Sequence, residues 1–228
     1  MNLSEELTRH AHSNKDEIKK IEYLLSKDDI VLDVGACVGY HTLIFSRLAK
    51  KVYAFEPSPY NFALLEENMK DRPNVTVFNF ACSDMVGFAD LYITREDEER
   101  GINSGMNRLY ESQWWNTQEK TTVKTIALDT WPALKDEKIS FIKIDVEGWE
   151  LRVLCGLADI IEKYKPKILL EFHPPTLEEA GTNAEAVYTY LKDRGYRIAH
   201  FTTGEEIKTY GRLDSLTRES VAVNILCV

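Results

Sequence analysis

The chain has 228 residues, 44% of them hydrophobic and 29% charged, which suits a single folded unit with a sizeable core and excludes a disordered chain. Its net charge of −9 argues against a general nucleic-acid or anionic-membrane binder, since both require a basic surface. Cys37, Cys82, Cys155 and Cys227 never form C-x-x-C, so metal clusters and redox motifs lack support, and a reduced, cytoplasmic chain is expected.

Residues 3–26 set Leu3, Leu7, Ile18, Ile21, Leu24 and Leu25 among charges, which predicts one or two helices covering a flank. The start lacks the basic-then-apolar order of a signal peptide, and no uncharged apolar run approaches the ~18 residues that cross a bilayer. An N-terminal helical cap over residues 1–29 and a main domain over 30–228 are therefore expected.

Within the domain, strand 1 is predicted at 30–34, a helix at 40–49 and strand 2 at 52–55. Ser58-Pro59 reads as a helix start, with serine as cap and proline in the first turn, running to about residue 70. Strand 3 follows at 75–80. Two further strands at 88–93 and 123–126 flank a long polar stretch, an insertion at about 95–120 that includes Trp114 and Trp115. Strand 4 is placed at 139–144, a helix from there to about residue 164, and strand 5 at 168–172. A helix at 184–194 stops at Gly195. The last strands, 196–201 and 221–228, have no helix predicted between them and should pair antiparallel.

The first βαβ unit carries the most chemistry. Residues 31–40 (Val-Leu-Asp-Val-Gly-Ala-Cys-Val-Gly-Tyr) form a strand and a glycine turn, and residues 52–57 (Val-Tyr-Ala-Phe-Glu-Pro) end a second strand in an acid. Glycines there admit a ligand to the backbone, and Glu56 can accept two hydrogen bonds from a ribose, so an adenosine-containing cofactor is expected. A dinucleotide fingerprint would fall on Gly35, Cys37 and Tyr40, where two of three glycines are missing. Asp33 would repel a pyrophosphate but suits the ammonium and sulfonium of S-adenosylmethionine. As a structural alternative, Asp33 is a turn former or cap.

With these residues in view, the chain resembles the FkbM-type family of class I S-adenosylmethionine-dependent methyltransferases. The resemblance is carried by residues 31–39, Ala54-Phe55-Glu56-Pro57, Leu128-Asp129 and Phe141-Ile142-Lys143-Ile144-Asp145-Val146-Glu147-Gly148. Glu150, Val153-Leu154, Gly156 and residues 168–173 complete it. Cys37 departs from the pattern, which usually has asparagine there. The resemblance implies an α/β, Rossmann-like doubly wound sheet of seven strands, order 3-2-1-4-5-7-6, with strand 7 antiparallel. It also implies methyl transfer, commonly to a hydroxyl of a sugar or polyketide-like acceptor.

In an open parallel sheet the ligand lies over the carboxyl ends of the strands. Asp33, Gly35, Gly39, Glu56, Ser83, Asp84 and Asp145 are the expected cofactor-binding residues. A base for the acceptor hydroxyl is sought among His173, Asp145, Glu171 and Glu147, which stay open as alternatives, with capping roles as the bland reading of His173 and Glu147. No spacing suggests a metal site. A small-molecule acceptor, with a glycan among the options, is the expected partner, without nucleic acid or membrane. A nicotinamide-dependent dehydrogenase and a non-catalytic binding module are the competing readings.

Overall fold

The computed structural model describes residues 15–94, 106–112, 117–220 and 222–228. Its main sheet has the order β3-β2-β1-β7-β8-β10-β9, built from β1 (Ile30–Val34), β2 (Lys51–Phe55), β3 (Val75–Phe78), β7 (Phe141–Ile144), β8 (Lys167–Phe172), β9 (Ile198–His200) and β10 (Val223–Cys227). Neighbours from β3 to β8 run parallel, while β10 is antiparallel to both β8 and β9. This is the expected α/β architecture and strand order.

Both faces of the central strands are covered, so the strands read as apolar runs interrupted by the charged residues Asp33, Lys143 and Glu171. Side chains alternate between two cores. Leu32, Val34, Ile142, Ile144, Ile168 and Leu170 point to one, shared with Val153 and Leu154 of α4 (Glu150–Cys155), Ile160 and Ile161 of α5 (Ala158–Tyr164), and Val187 and Leu191 of α7 (Ala184–Asp193). Val31, Phe141 and Leu169 point to the other, which receives Ile21 of α1 (Lys15–Leu24) and Ile44 and Phe45 of α2 (Tyr40–Leu48). Helix α3 (Pro59–Met69) begins as predicted: Ser58 accepts a hydrogen bond from the Asn61 amide, and Pro59 sits in the first turn. The residues before Lys15, with Leu3, Leu7, His10 and His12, lie outside the described residues, as do Trp114 and Trp115.

Four sequence expectations need correction. Strand 3 ends at Phe78 rather than residue 80, where Asn79 donates its side-chain amide to the carbonyls of Glu56 and Pro57 and turns the chain, and an unpredicted short strand β4 (Ala81–Cys82) follows. β4 joins β6 (Thr117–Ile126) and β5 (Gly87–Thr94) in a second sheet of order β4-β6-β5. The helix after strand 4 is two helices, α4 and α5. A Cβ on Gly156 would stand 1.9 Å from the Ser83 carbonyl oxygen, and the Asp129 carboxylate caps α5 by accepting from the amides of Asp159 and Ile160. The short helix α6 (Pro174–Glu179) follows β8, started by two prolines in its first turn. Helix α8 (Tyr210–Ser220) lies between β9 and β10, where none was predicted; its apolar positions are sparse, and burial of Leu213 and Leu216 holds it in place.

Gly156→Ala forces a methyl group into the Ser83 backbone, and we expect a loss of about 1–3 kcal/mol in chemical denaturation. Asp129→Ala leaves two amides uncapped and should cost about 0.5–2 kcal/mol by the same measurement.

Candidate active site

The carboxyl ends of β1, β2, β7 and β8 meet at one edge of the sheet. After β1, Gly35 takes φ 79°, and a Cβ there would stand 1.8 Å from the Asp145 carbonyl oxygen. Only glycine lets this turn close against the end of β7. Cys37 follows in left-handed backbone at φ 51°, where a side chain is unusual, and Gly39 caps α2. The Cys37 amide donates to Glu56 Oε2 at 2.9 Å and the Ser58 amide to Oε1 at 2.9 Å, so the acid at the tip of β2 is aimed at the glycine turn. Burial nevertheless pushes the Glu56 carboxyl up to about 7, with the two amides pulling the other way.

Beneath the turn lies a buried cation that carried no expectation from the sequence. Lys143 is the cross-strand neighbour of Asp33, and its ammonium stands 3.1 Å from Asp145 Oδ2 and 3.9 Å from Asp33 Oδ1 while donating to the Gly35 carbonyl at 3.2 Å. Burial opposes its charge, but Asp145 and Asp33 raise it above the ordinary lysine value. Asp33 is fully buried and accepts from the Thr42 hydroxyl at 2.6 Å, while Oδ1 has no hydrogen-bond partner. A lysine inside the apolar run Phe141-Ile142-Lys143-Ile144 was the available signal, since an unpaired lysine is not tolerated in a fully buried strand.

Asp145, Glu147 and Glu171 each bring a carboxylate oxygen within 4.8 Å of the others. No spacing in the sequence suggested a ligand-type cluster; the parallel pairing of β7 with β8 creates one. Burial opposes ionisation of Asp145, but the Lys143 charge and hydrogen bond hold it below the usual carboxylate range. Glu171 goes the other way: the Asp145 charge and burial raise it well above that range, and the two carboxyls share a hydrogen bond. Environments that split neighbouring acids in this way separate a charged group from a protonated one. Glu147 is pushed up to about 7 by burial and by Asp145, against the pull of Arg108, whose Nη2 lies 3.5 Å from Glu147 Oε2.

Glu150 is structural in its contacts. Its Oε1 accepts from the amides of Val146 and Gly148 and ties down the turn that bears Glu147, and burial pushes its carboxyl up to about 7. His173 is the N-cap residue of α6 through its main chain, whose carbonyl accepts from the Leu177 amide and the Thr176 hydroxyl. Burial, then Arg108, lowers its imidazole from the ordinary value.

Ser83 and Asp84 stand apart from this cluster, beside α4. The Trp149 indole donates to Ser83 Oγ at 3.1 Å, and Asp84 pairs with Arg152 at 3.1 Å. His41 meets Glu17 of α1 at 3.1 Å, and His200 accepts from the Thr203 amide. Arg108 gave no signal, because it lies in a polar stretch without periodicity.

The Methyltransferase FkbM domain pattern matches residues 33–198. The hexuronic acid methyltransferase AglP of Haloferax volcanii is 29% identical over 167 residues, covering 72% of this chain and 64% of that protein. The 31-O-demethyl-FK506 methyltransferase FkbM of Streptomyces tacrolimicus is 28% identical over 200 residues, covering 76% of this chain and 75% of that one. The crystal structure of methyltransferase FkbM from Methylobacillus flagellatus KT superposes with a TM-score of 0.55 at 16% identity, covering 90% of this chain and 44% of that one. The chain belongs to the FkbM methyltransferase family.

Proposed function

We propose that this protein is an S-adenosylmethionine-dependent methyltransferase acting on a hydroxyl of a sugar or natural-product-like small molecule. The observation that carries the reading is the buried acid pair at the glycine turn. Asp33 lies fully buried beneath the turn with its Oδ1 3.9 Å from the Lys143 ammonium, and Glu56 is held by two backbone amides beside Gly35 and Cys37. Such a site suits a ligand that bears an ammonium and a vicinal ribose diol, and a pyrophosphate would meet a row of carboxylates. The named activities of the haloarchaeal and streptomycete relatives support methyl transfer to small molecules.

In this reading Glu56 holds the ribose hydroxyls, Asp33 and Asp145 face the positive end, and Gly35 and Gly39 admit the ligand to the backbone. Ser83 and Asp84 remain adenine-side positions. Bound there, S-adenosylmethionine supplies an electrophilic methyl group on a sulfonium. The chain's own residues then have to align the acceptor oxygen and take its proton. Burial and the Asp145 charge favour the protonated form of Glu171, which makes it the poorer candidate for the base, while Asp145 is held ionised by Lys143 and is weakly basic. His173, lowered from its ordinary value, is neutral at pH 7 and available to accept the proton. Asp145 and Glu147 then orient the acceptor by accepting its other hydroxyl hydrogens.

Calorimetric titration with S-adenosylhomocysteine and with NAD tests the cofactor assignment: micromolar binding of the first and none of the second is expected, and the reverse would overturn it. Glu56→Ala should weaken S-adenosylhomocysteine about 10–100-fold, the worth of hydrogen bonds to a charged group. Glu56 also shapes the ligand-free protein. Its folded value of about 7 lies above its ordinary 4.5, so its contribution to stability is complete below pH 4.5 and is lost as pH rises through 7. Glu56→Gln should flatten that decline in thermal melts across pH 4–8. With an acceptor found by screening hydroxylated compounds, His173→Ala should lower turnover about 10²–10⁴-fold with little change in cofactor affinity. The wild-type rate should climb with pH through a value below 6.5, and the variant should lack that limb.

A further inference from the structure

We propose that Arg108 is a positioning residue of the transfer site, carried there by residues 106–112 of the insertion, which wall the acceptor side. The inference rests on the methyltransferase reading above.

Three alternate side chains of this segment dock on the same turn and helix. The Arg108 guanidinium reaches Glu147 at 3.5 Å. The Tyr110 ring lies over Gly148, where an added Cβ would stand 3.1 Å from Tyr110 Cε1. The Ser112 hydroxyl accepts from Arg108 Nη1 at 3.3 Å and reaches the Glu179 carboxylate of α6, at 2.8 and 2.9 Å from its two oxygens. The segment is itself anchored to β5: Arg108 and Tyr92 exchange both main-chain hydrogen bonds, at 2.7 and 3.1 Å, and Thr94 takes up Met106 and Asn107. It is built in rather than draped over the surface.

The choice of side chain is the informative part. Arg108 is 1% exposed, the largest fully buried side chain among the described residues. A guanidinium loses much hydration there, and an apolar residue of the same volume would anchor the segment as well or better. Its partner Glu147 is held in left-handed backbone at φ 54°, a costly conformation for a residue with a side chain. A strained acid held against a buried cation points to a geometry kept for chemistry rather than for stability.

The groups around this point are Asp145 and Glu147 after β7, Glu150 on α4, Glu171 and His173 at the end of β8, Glu179 on α6, and Tyr110 beside Arg108 itself. The guanidinium favours the ionised form of Glu147 and disfavours the imidazolium of His173. Lys143 does the corresponding work for Asp145 on the cofactor side. One buried cation thus serves the cofactor half of the site and another the acceptor half.

The test needs no acceptor. The His173 ring is titrated by NMR in protein labelled with [13C]histidine, its resonance assigned with His173→Asn, in wild type, R108Q and R108K. R108Q should raise the His173 pKa by about 0.5–1 unit. R108K should return it to within a few tenths of wild type, and neither variant should change S-adenosylhomocysteine affinity more than about two-fold. Should R108Q not fold, R108M fills similar volume without charge and carries the same expectation. A His173 titration unmoved in R108Q or R108M, or equally shifted in R108K, would overturn the proposal, as would collapse of cofactor affinity in a folded variant. Wild-type protein that fails to bind S-adenosylhomocysteine would overturn the methyltransferase reading and leave the titration result standing.

Discussion

The site depends on one buried ammonium. Lys143 sits where β1 and β7 lie side by side, and its charge is shared between Asp33, Asp145 and the Gly35 carbonyl. An acid in a fully buried strand end would be costly alone, and so would a lysine in the middle of a buried strand. Placed as cross-strand neighbours, each offsets part of the other's penalty. The arrangement locks the glycine turn onto the end of β7, and from that lock the remaining geometry follows.

The first consequence is electrostatic. With Asp145 held ionised by Lys143, its neighbour Glu171 feels a negative charge at short range, which favours its protonated form. Glu147, farther along the same turn, is left near its titration point and is drawn toward ionisation by Arg108. Acids crowded at the end of a sheet would otherwise repel one another and open the edge. Two buried cations and a shared proton keep the edge closed while leaving carboxylate oxygens available.

The second consequence concerns how the fold accommodates the insertion. The β4-β6-β5 sheet departs from the main sheet after β3, and the chain returns to β7 through two short helical turns, Leu128–Thr130 and Pro132–Leu134. Its return path is fixed by backbone closeness: Gly156 rests on the Ser83 carbonyl, and Asp129 caps the helix that follows. Residues 106–112 are thereby presented to the turn that bears Glu147. An element that adds nothing to the main sheet thus reaches its functional edge.

The amino-acid sequence by itself determined the main sheet, its order through the family resemblance, the glycine turn and the acids at the strand tips. These are local features: apolar runs of strand length, a serine-proline helix start and glycines where backbone closes on backbone all act within a few residues. Tertiary structure alone decided the rest. Helix α8 has too few apolar positions to declare itself and exists because Leu213 and Leu216 find a core. The carboxylate cluster joins residues 145 and 171 through strand pairing, and Arg108 reaches Glu147 across 39 positions. Ionisation behaves likewise, since the glutamates at 147, 150 and 171 owe their raised values to burial, neighbouring charges and hydrogen bonds that the fold supplies. Periodicity and spacing report what a residue does along the chain, whereas charge and proximity act through space, and only the fold establishes those distances.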